Sequence, residues 1–264
     1  MKRLIYFAAF VGLVAATGAY AQVGTINSVI VTPRVFNDIP GATFTYVNGF
    51  YTSLSEAGVS ATNGYANRDI WRFSNNGSSA YQFQSGDYFN ASFSLKLTGS
   101  GTSGIDLEAG WLFSNPSGGI GGDLQSIVKA DGEVVQFGGP SYFGFSPANG
   151  GTSVPNYVLG ATYTMGLNYV IDPNTGRNAF QYSVNGVFAT SSGNDTYFDL
   201  APGQSIGGAG DTLGGYLQIQ NDPNNPNNNG TALFQNISIT AVPEPATSAL
   251  LGLGMLALLV RRRH

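Results

Sequence analysis

The 264-residue chain contains no cysteine. A secreted domain of this composition has no disulfide staple, so packing alone must hold it together. Thiol catalysis and cysteine-ligated metal sites are excluded with it. Histidine is almost as scarce, since the only one is His264, the last residue. The body of the chain therefore has no imidazole for Ser-His-Asp or Cys-His catalysis, or for His-ligated zinc or copper. Charge is also thin, at 10% of residues. Five of the 11 basic residues (Lys2, Arg3, Arg261, Arg262, Arg263) and Glu244, one of 15 acids, lie near the ends. Residues 22–241 keep six basic against 14 acidic groups, a net of −8 that the whole-chain value of −4 conceals. Phosphate binding needs clustered Lys and Arg, so nucleic acid and anionic membrane surfaces are not expected partners. No cofactor-binding motif is present.

The two ends are the most informative stretches. At the start, Met1-Lys2-Arg3 is a charged n-region, Leu4 to Ala16 an apolar h-region, and Ala19-Tyr20-Ala21 a small-x-small site. Together they read as a secretory signal peptide over residues 1–21, with Ala19 and Ala21 the small residues of the site and cleavage after Ala21 to leave Gln22 first. At the other end, Val242-Pro243-Glu244-Pro245 precedes an apolar run, 246–260, and then Arg261, Arg262 and Arg263. Two prolines fix φ and remove two N–H donors, which keeps the chain extended and out of a sheet. The apolar run is expected to be a transmembrane helix, with the basic tail 261–264 kept inside by its charge. At 1.5 Å per residue it spans only ~22 Å, short of a ~30 Å hydrocarbon core. Such a helix suits a weak inner-membrane anchor that is later cut.

This order resembles the PEP-CTERM sorting signal of Gram-negative bacteria, which is read by the membrane enzyme exosortase. The resemblance implies exosortase as partner, processing near 242–245, and delivery to the cell surface or extracellular matrix.

Between the ends lies one expected domain, 22–241. Thirty-seven glycines and few charges argue against helices there, and the apolar residues fall at period two. Tyr163, Met165, Leu167, Tyr169 and Ile171 line one face of a strand, and Phe180, Tyr182 and Val184 line the next. Asp172 to Asn178 forms the turn between them, and Asn185-Gly186 marks a tight hairpin. Further strands are expected at 26–32, 42–47, 69–74, 80–84, 88–98, 106–113, 124–130, 133–137, 214–220 and 231–240. So many short strands, without internal repeats, predict an all-β, two-sheet antiparallel sandwich. The stretches TPRVFNDIPGA (32–42), YANRDIWRFS (65–74), FQYSVNG (180–186), GGYLQIQND (214–222) and FQNISI (234–239) are similar to PEP-CTERM ectodomains of the concanavalin A-like jelly-roll type. That resemblance implies a concave sheet of the kind relatives use to bind polysaccharide.

Three constellations carry candidate chemistry. Asp106 and Glu108 sit at i and i+2, hence on one strand face. Two carboxylates there are what a glycosidase requires, yet the Glu-x-Asp-x-x-Glu pattern of some jelly-roll glycosidases is absent, because Ala109, Gly110 and Trp111 follow. Asp172, Asn174 and Asn178 offer oxygens at spacings that wrap calcium, or make a plain Asx-rich turn. Trp71, Tyr142, Phe143 and Tyr216 are candidates to stack on sugar rings, or are core aromatics. The reading they support is a non-enzymatic, lectin-like surface protein associated with exopolysaccharide. Its rivals are a carbohydrate-active enzyme using Asp106 and Glu108, and a self-associating surface-layer component without glycan affinity.

Overall fold

The structure is a computed structural model describing residues 23–242, except 38, 40, 50, 60–63, 101–106, 140, 143–144, 146–155, 191–194 and 222–227. The signal segment, Pro243 to Pro245, the apolar run and the basic tail lie outside the described residues. The described part is all-β: fifteen strands in two antiparallel sheets, a jelly-roll-like sandwich.

The seven-stranded sheet has the order β1(Ser28–Asn37), β4(Ala66–Ser74), β14(Thr212–Gln220), β6(Leu107–Ser114), β7(Leu124–Lys129), β8(Val134–Gly138) and β9(Ser141–Tyr142). The facing sheet has the order β12(Val187–Phe188), β11(Asn178–Val184), β10(Thr162–Ile171), β5(Phe89–Gly99), β15(Asn228–Ala241), β3(Thr52–Val59) and β2(Thr43–Val47), with β13(Phe198–Asp199) paired to β11. Alternation explains which residues meet between them. Along β4, Trp71 and Phe73 point inward; along β6, Trp111 and Phe113; along β5, Phe93 and Leu95; along β15, Phe234. The Trp71 ring makes edge contacts with Phe73, Phe93 and Phe234, and Trp111 lies 4.1 Å from Phe93, centroid to centroid. Such pairs each add about 0.5–1.5 kcal/mol beyond their area burial.

Two positions show why small or left-handed residues are needed. Gly215 faces Trp71 across the β14–β4 ladder. A Cβ there would fall 2.6 Å from the indole Nε1 and 2.8 Å from Phe234. In β15 the register shifts between Gln235 and Ser238, where Asn236 has φ of 52°. This bulge lets Phe234 and Ile237, three apart, both face the core.

Most strand expectations hold to within two or three residues. The Asn185-Gly186 turn has φ of 50° and 79°, the left-handed pair such a hairpin requires. The expected strand 80–84 is not one: Tyr81 and Phe83 donate singly to Phe73 O and Asp211 O without a ladder. The strand β3 escaped the sequence because its sequence, TSLSEAGV, carries few β-formers.

Replacing Gly215 with alanine should overpack the Trp71 pocket and cost about 1–3 kcal/mol. Urea unfolding, read as a lowered midpoint at unchanged slope, checks this.

Candidate functional site

The outward face of the seven-stranded sheet carries a groove of about 570 Å³. Ile70, Leu112 and Phe137 in its lining belong to a second, smaller apolar cluster that also holds Ile127, Val135 and Tyr216. The groove's polar wall comes from the same strands. On β4 the inward set containing Trp71 leaves Arg68, Ile70 and Arg72 facing outward, and β14 adds Gln218 and Gln220.

The two arginines are held alike. Arg68 Nε donates to Gln218 Oε1 at 2.7 Å, and its guanidinium lies over the Tyr216 ring, 4.9 Å from the centroid. Arg72 Nε donates to Thr212 Oγ1 at 3.1 Å. Among the described residues neither Nη pair makes a hydrogen bond or ion pair. Each guanidinium is thus fixed by its stem side while its two-pronged end is open to a planar or vicinal pair of oxygens. Burial lowers the Arg72 pKa from its ordinary value, and Asp123 partly restores it; an arginine stays charged nonetheless.

Beneath them, the Tyr216 hydroxyl lies 2.7 Å from Gln125 Oε1 and 3.1 Å from Glu108 Oε1. A hydroxyl has one proton. If it donates to the amide oxygen, a carboxylate at 3.1 Å is left facing an oxygen, whereas a protonated Glu108 would donate to the phenol and complete the chain. Burial indeed raises the Glu108 pKa, against the opposing pull of Tyr216, Arg68 and Lys129. Burial also pushes the Tyr216 pKa far up, with Glu108 adding to it.

The sequence candidates are distributed differently from their expectation. Trp71 is fully buried between the sheets, one residue out of register with the groove, so it cannot stack on a ligand. Tyr216 does lie under the groove but is fully buried beneath Arg68, so it supports the site rather than offering its ring. Tyr142 belongs to the edge strand β9, opposite Phe137; its side chain, Phe143 and Asp106 lie outside the described residues. Glu108 faces the groove floor.

The Asp172 turn is built around its own backbone. Asp172 Oδ1 accepts from the Asn174 N–H at 2.8 Å and Oδ2 from the Thr175 hydroxyl at 2.9 Å. Burial opposes its charge, but these bonds win and hold its pKa below the usual value. Asn178 turns away, accepting from the Tyr88 hydroxyl and donating to Gln204 O. The oxygens of Asp172 and Asn178 are thus taken up by hydrogen bonds within the fold, and among the described residues no three His, Cys, Asp or Glu gather as a metal site.

The residues missed by the sequence reading, Arg68, Arg72, Gln218 and Gln125, carried one available signal. Polar and apolar residues do not alternate in NRDIWRFS, but once the stretch is a strand the even spacing of Arg68 and Arg72 puts them on one face, opposite Trp71.

A raised pKa in the folded state means that Glu108 contributes stability below its unfolded value, near 4.5, and loses it as pH rises through the higher folded value. Glu108→Gln should therefore flatten this part of the stability–pH curve and gain relative to wild type towards neutral pH. Thermal melts of both proteins from pH 4 to 8, on a scale of ~2–4 °C per kcal/mol for a domain of this size, check the difference in slope.

No curated protein matches the chain in sequence. Among solved structures, an endo-1,3-beta-glucanase from Streptomyces sioyaensis matches with 11% identity and a TM-score of 0.47, covering 85% of this chain and 93% of that one. The alginate lyase Aly36B matches at 10% identity and a TM-score of 0.41, with 83% and 99% covered. The carbohydrate-binding module CBM66 from Bacillus subtilis matches at 9% and 0.37, with 83% and 98% covered. Residues 241–263 match the PEP-CTERM protein-sorting motif.

Proposed function

We propose that the protein is an exported, surface-sorted component of the bacterial extracellular matrix, not an enzyme, that holds exopolysaccharide in the groove of its seven-stranded sheet. The supporting observation is the pair of clamped guanidiniums with open Nη ends, Arg68 and Arg72, four residues apart on one strand face. At about 3.4 Å per residue their backbones stand ~14 Å apart along β4, a spacing suited to an extended chain rather than to one small molecule. Amides of Gln218 and Gln220 and the exposed Tyr65 flank them, the mixture of polar fork and apolar ring that sugars engage. The sorting motif supports the destination, with exosortase as the processing partner and the apolar run as a transient inner-membrane anchor.

A second reading is a carbohydrate-active enzyme, and Glu108 favours it: a buried carboxyl with raised proton affinity has the character of a general acid. Its expected partner Asp106 lies outside the described residues.

The test is co-sedimentation with exopolysaccharide from the cell that makes the protein, with and without chelator. Arg68→Ala and Arg72→Ala together should abolish pelleting while the melting profile stays within a few degrees of wild type. Pelleting unchanged in the double variant would sink the groove as the site. Depolymerisation of the glycan that Glu108→Gln abolishes would replace binding with catalysis.

A further inference from the structure

Strand β15 changes character along its length. From Gly230 to Phe234 it is bonded on both sides, to β3 and to β5. Beyond the bulge, among the described residues, Ser238 to Ala241 pair with β5 alone, from Ser238 opposite Ser92 to Ala241 opposite Phe89. The halves meet at the left-handed Asn236, which is exposed. A bulge breaks both the ladder and the alternation there, so the outer half can part from β5 without unsettling the inner half. Little holds it. Ser238, Thr240 and Ala241 are exposed, while Ile239 and Val242 are half-buried against the core. The last bond is Val242 N–H to Tyr88 O at 2.9 Å.

The place of this half-strand gives it significance. The sorting motif begins at residue 241, so its first residue lies in a β-ladder and its second is hydrogen-bonded to the sheet. There is no spacer between fold and signal. A peptidase that takes its substrate as an added strand needs the main-chain groups of the residues it grips, and here β5 already occupies those on one side. On the other side β3 has ended and, among the described residues, no strand pairs with Ser238 to Ala241, which leaves a template for pairing. The opposite end of the domain comes to the same corner: Gly24 N–H donates to the Tyr81 hydroxyl, which donates to Asp87 Oδ2, next to Tyr88.

We propose that Ser238–Val242 is the docking strand for the membrane peptidase that reads the sorting motif. It leaves β5 as a unit beyond the buried Ile237, enters the enzyme extended, and brings the Tyr81–Tyr88 corner against the membrane. Released from Ser238 onward, five residues reach ~17 Å at about 3.3 Å each, which lets the folded body stay clear while the motif is held. This rests on the sorting role proposed above.

The chain has no cysteine, so a single engineered pair gives an unambiguous staple. Asn90 and Thr240 are directly opposed, a geometry within disulfide reach. The full-length Asn90→Cys/Thr240→Cys protein, expressed in the cell that makes it, should form the staple and lose its C-terminal segment at least ~10-fold more slowly than wild type, as expected for a step gated by local opening. Asn90→Ser/Thr240→Ser should be processed normally, and four glycines inserted between Ala241 and Val242 should leave the stapled chain slow, because the docking strand itself stays held; rescue by the glycines would overturn the docking strand in favour of a mere need for slack. In the full-length protein in detergent, amides of 238–242 should exchange faster than those of 230–234. A stapled chain processed at the wild-type rate, or equal exchange in the two halves, overturns the docking strand alone. A wild-type chain that keeps its C-terminus overturns the sorting role, and the docking with it.

Discussion

The packing of Trp71 against Trp111, Phe93 and Phe234 is the constraint on which the rest of the molecule depends. Without a disulfide, the two sheets are joined by nothing covalent except the loops. The aromatic layer must supply both the attraction and the registration. It does so by shape: edge-to-face contacts fix the angles of the rings, and Gly215 leaves the one gap into which the Trp71 indole fits. The ring contacts continue outward from this centre, through Phe113, Phe180 and Tyr182 to Phe198 on the marginal strand β13.

That layer also dictates the groove. A strand has only two faces, and once Trp71 and Phe73 are committed inward, Arg68, Ile70 and Arg72 have no other place to go. The same holds across β14 and β6, where Leu217 and Trp111 inward put Tyr216, Gln218, Glu108 and Leu112 outward. The second apolar cluster then serves as a dry bed under a polar wall. Beds of this kind strengthen each hydrogen bond made above them by excluding water. The cost is a proton chain of Glu108, Tyr216 and Gln125 that is complete only when Glu108 carries a proton.

Much of the architecture could be read from the chain, because alternation and turn residues are local signals. The Asn185-Gly186 hairpin and the strand 162–171 needed no tertiary information. The pairing of β14 with β4 did, since no sequence rule brings Tyr216 opposite Ile70. The candidate site suffered from a related difficulty. Aromatic rings were the conspicuous residues, and in a sandwich conspicuous rings go inward; Trp71 marked the correct strand but the wrong face. Tyr216 was on the correct face, but local pattern does not show that an arginine from another strand lies on top of it. Glu56, buried at the edge of β3, likewise has nothing in its neighbourhood of sequence to announce it.

One feature of the connectivity bears on time rather than on shape. The last strand of the domain, β15, is not an edge strand but lies in the middle of its sheet, between β5 and β3, and contacts such as Asn236 to Ser94 span 142 positions. Until that strand arrives, β5 and β3 have no common neighbour, and Phe234 is missing from the aromatic layer. The fold therefore cannot close progressively from the amino end as the chain emerges. It waits for β15, its last strand, a topology that makes folding slow and late and keeps the polypeptide threadable until nearly all of it has been made.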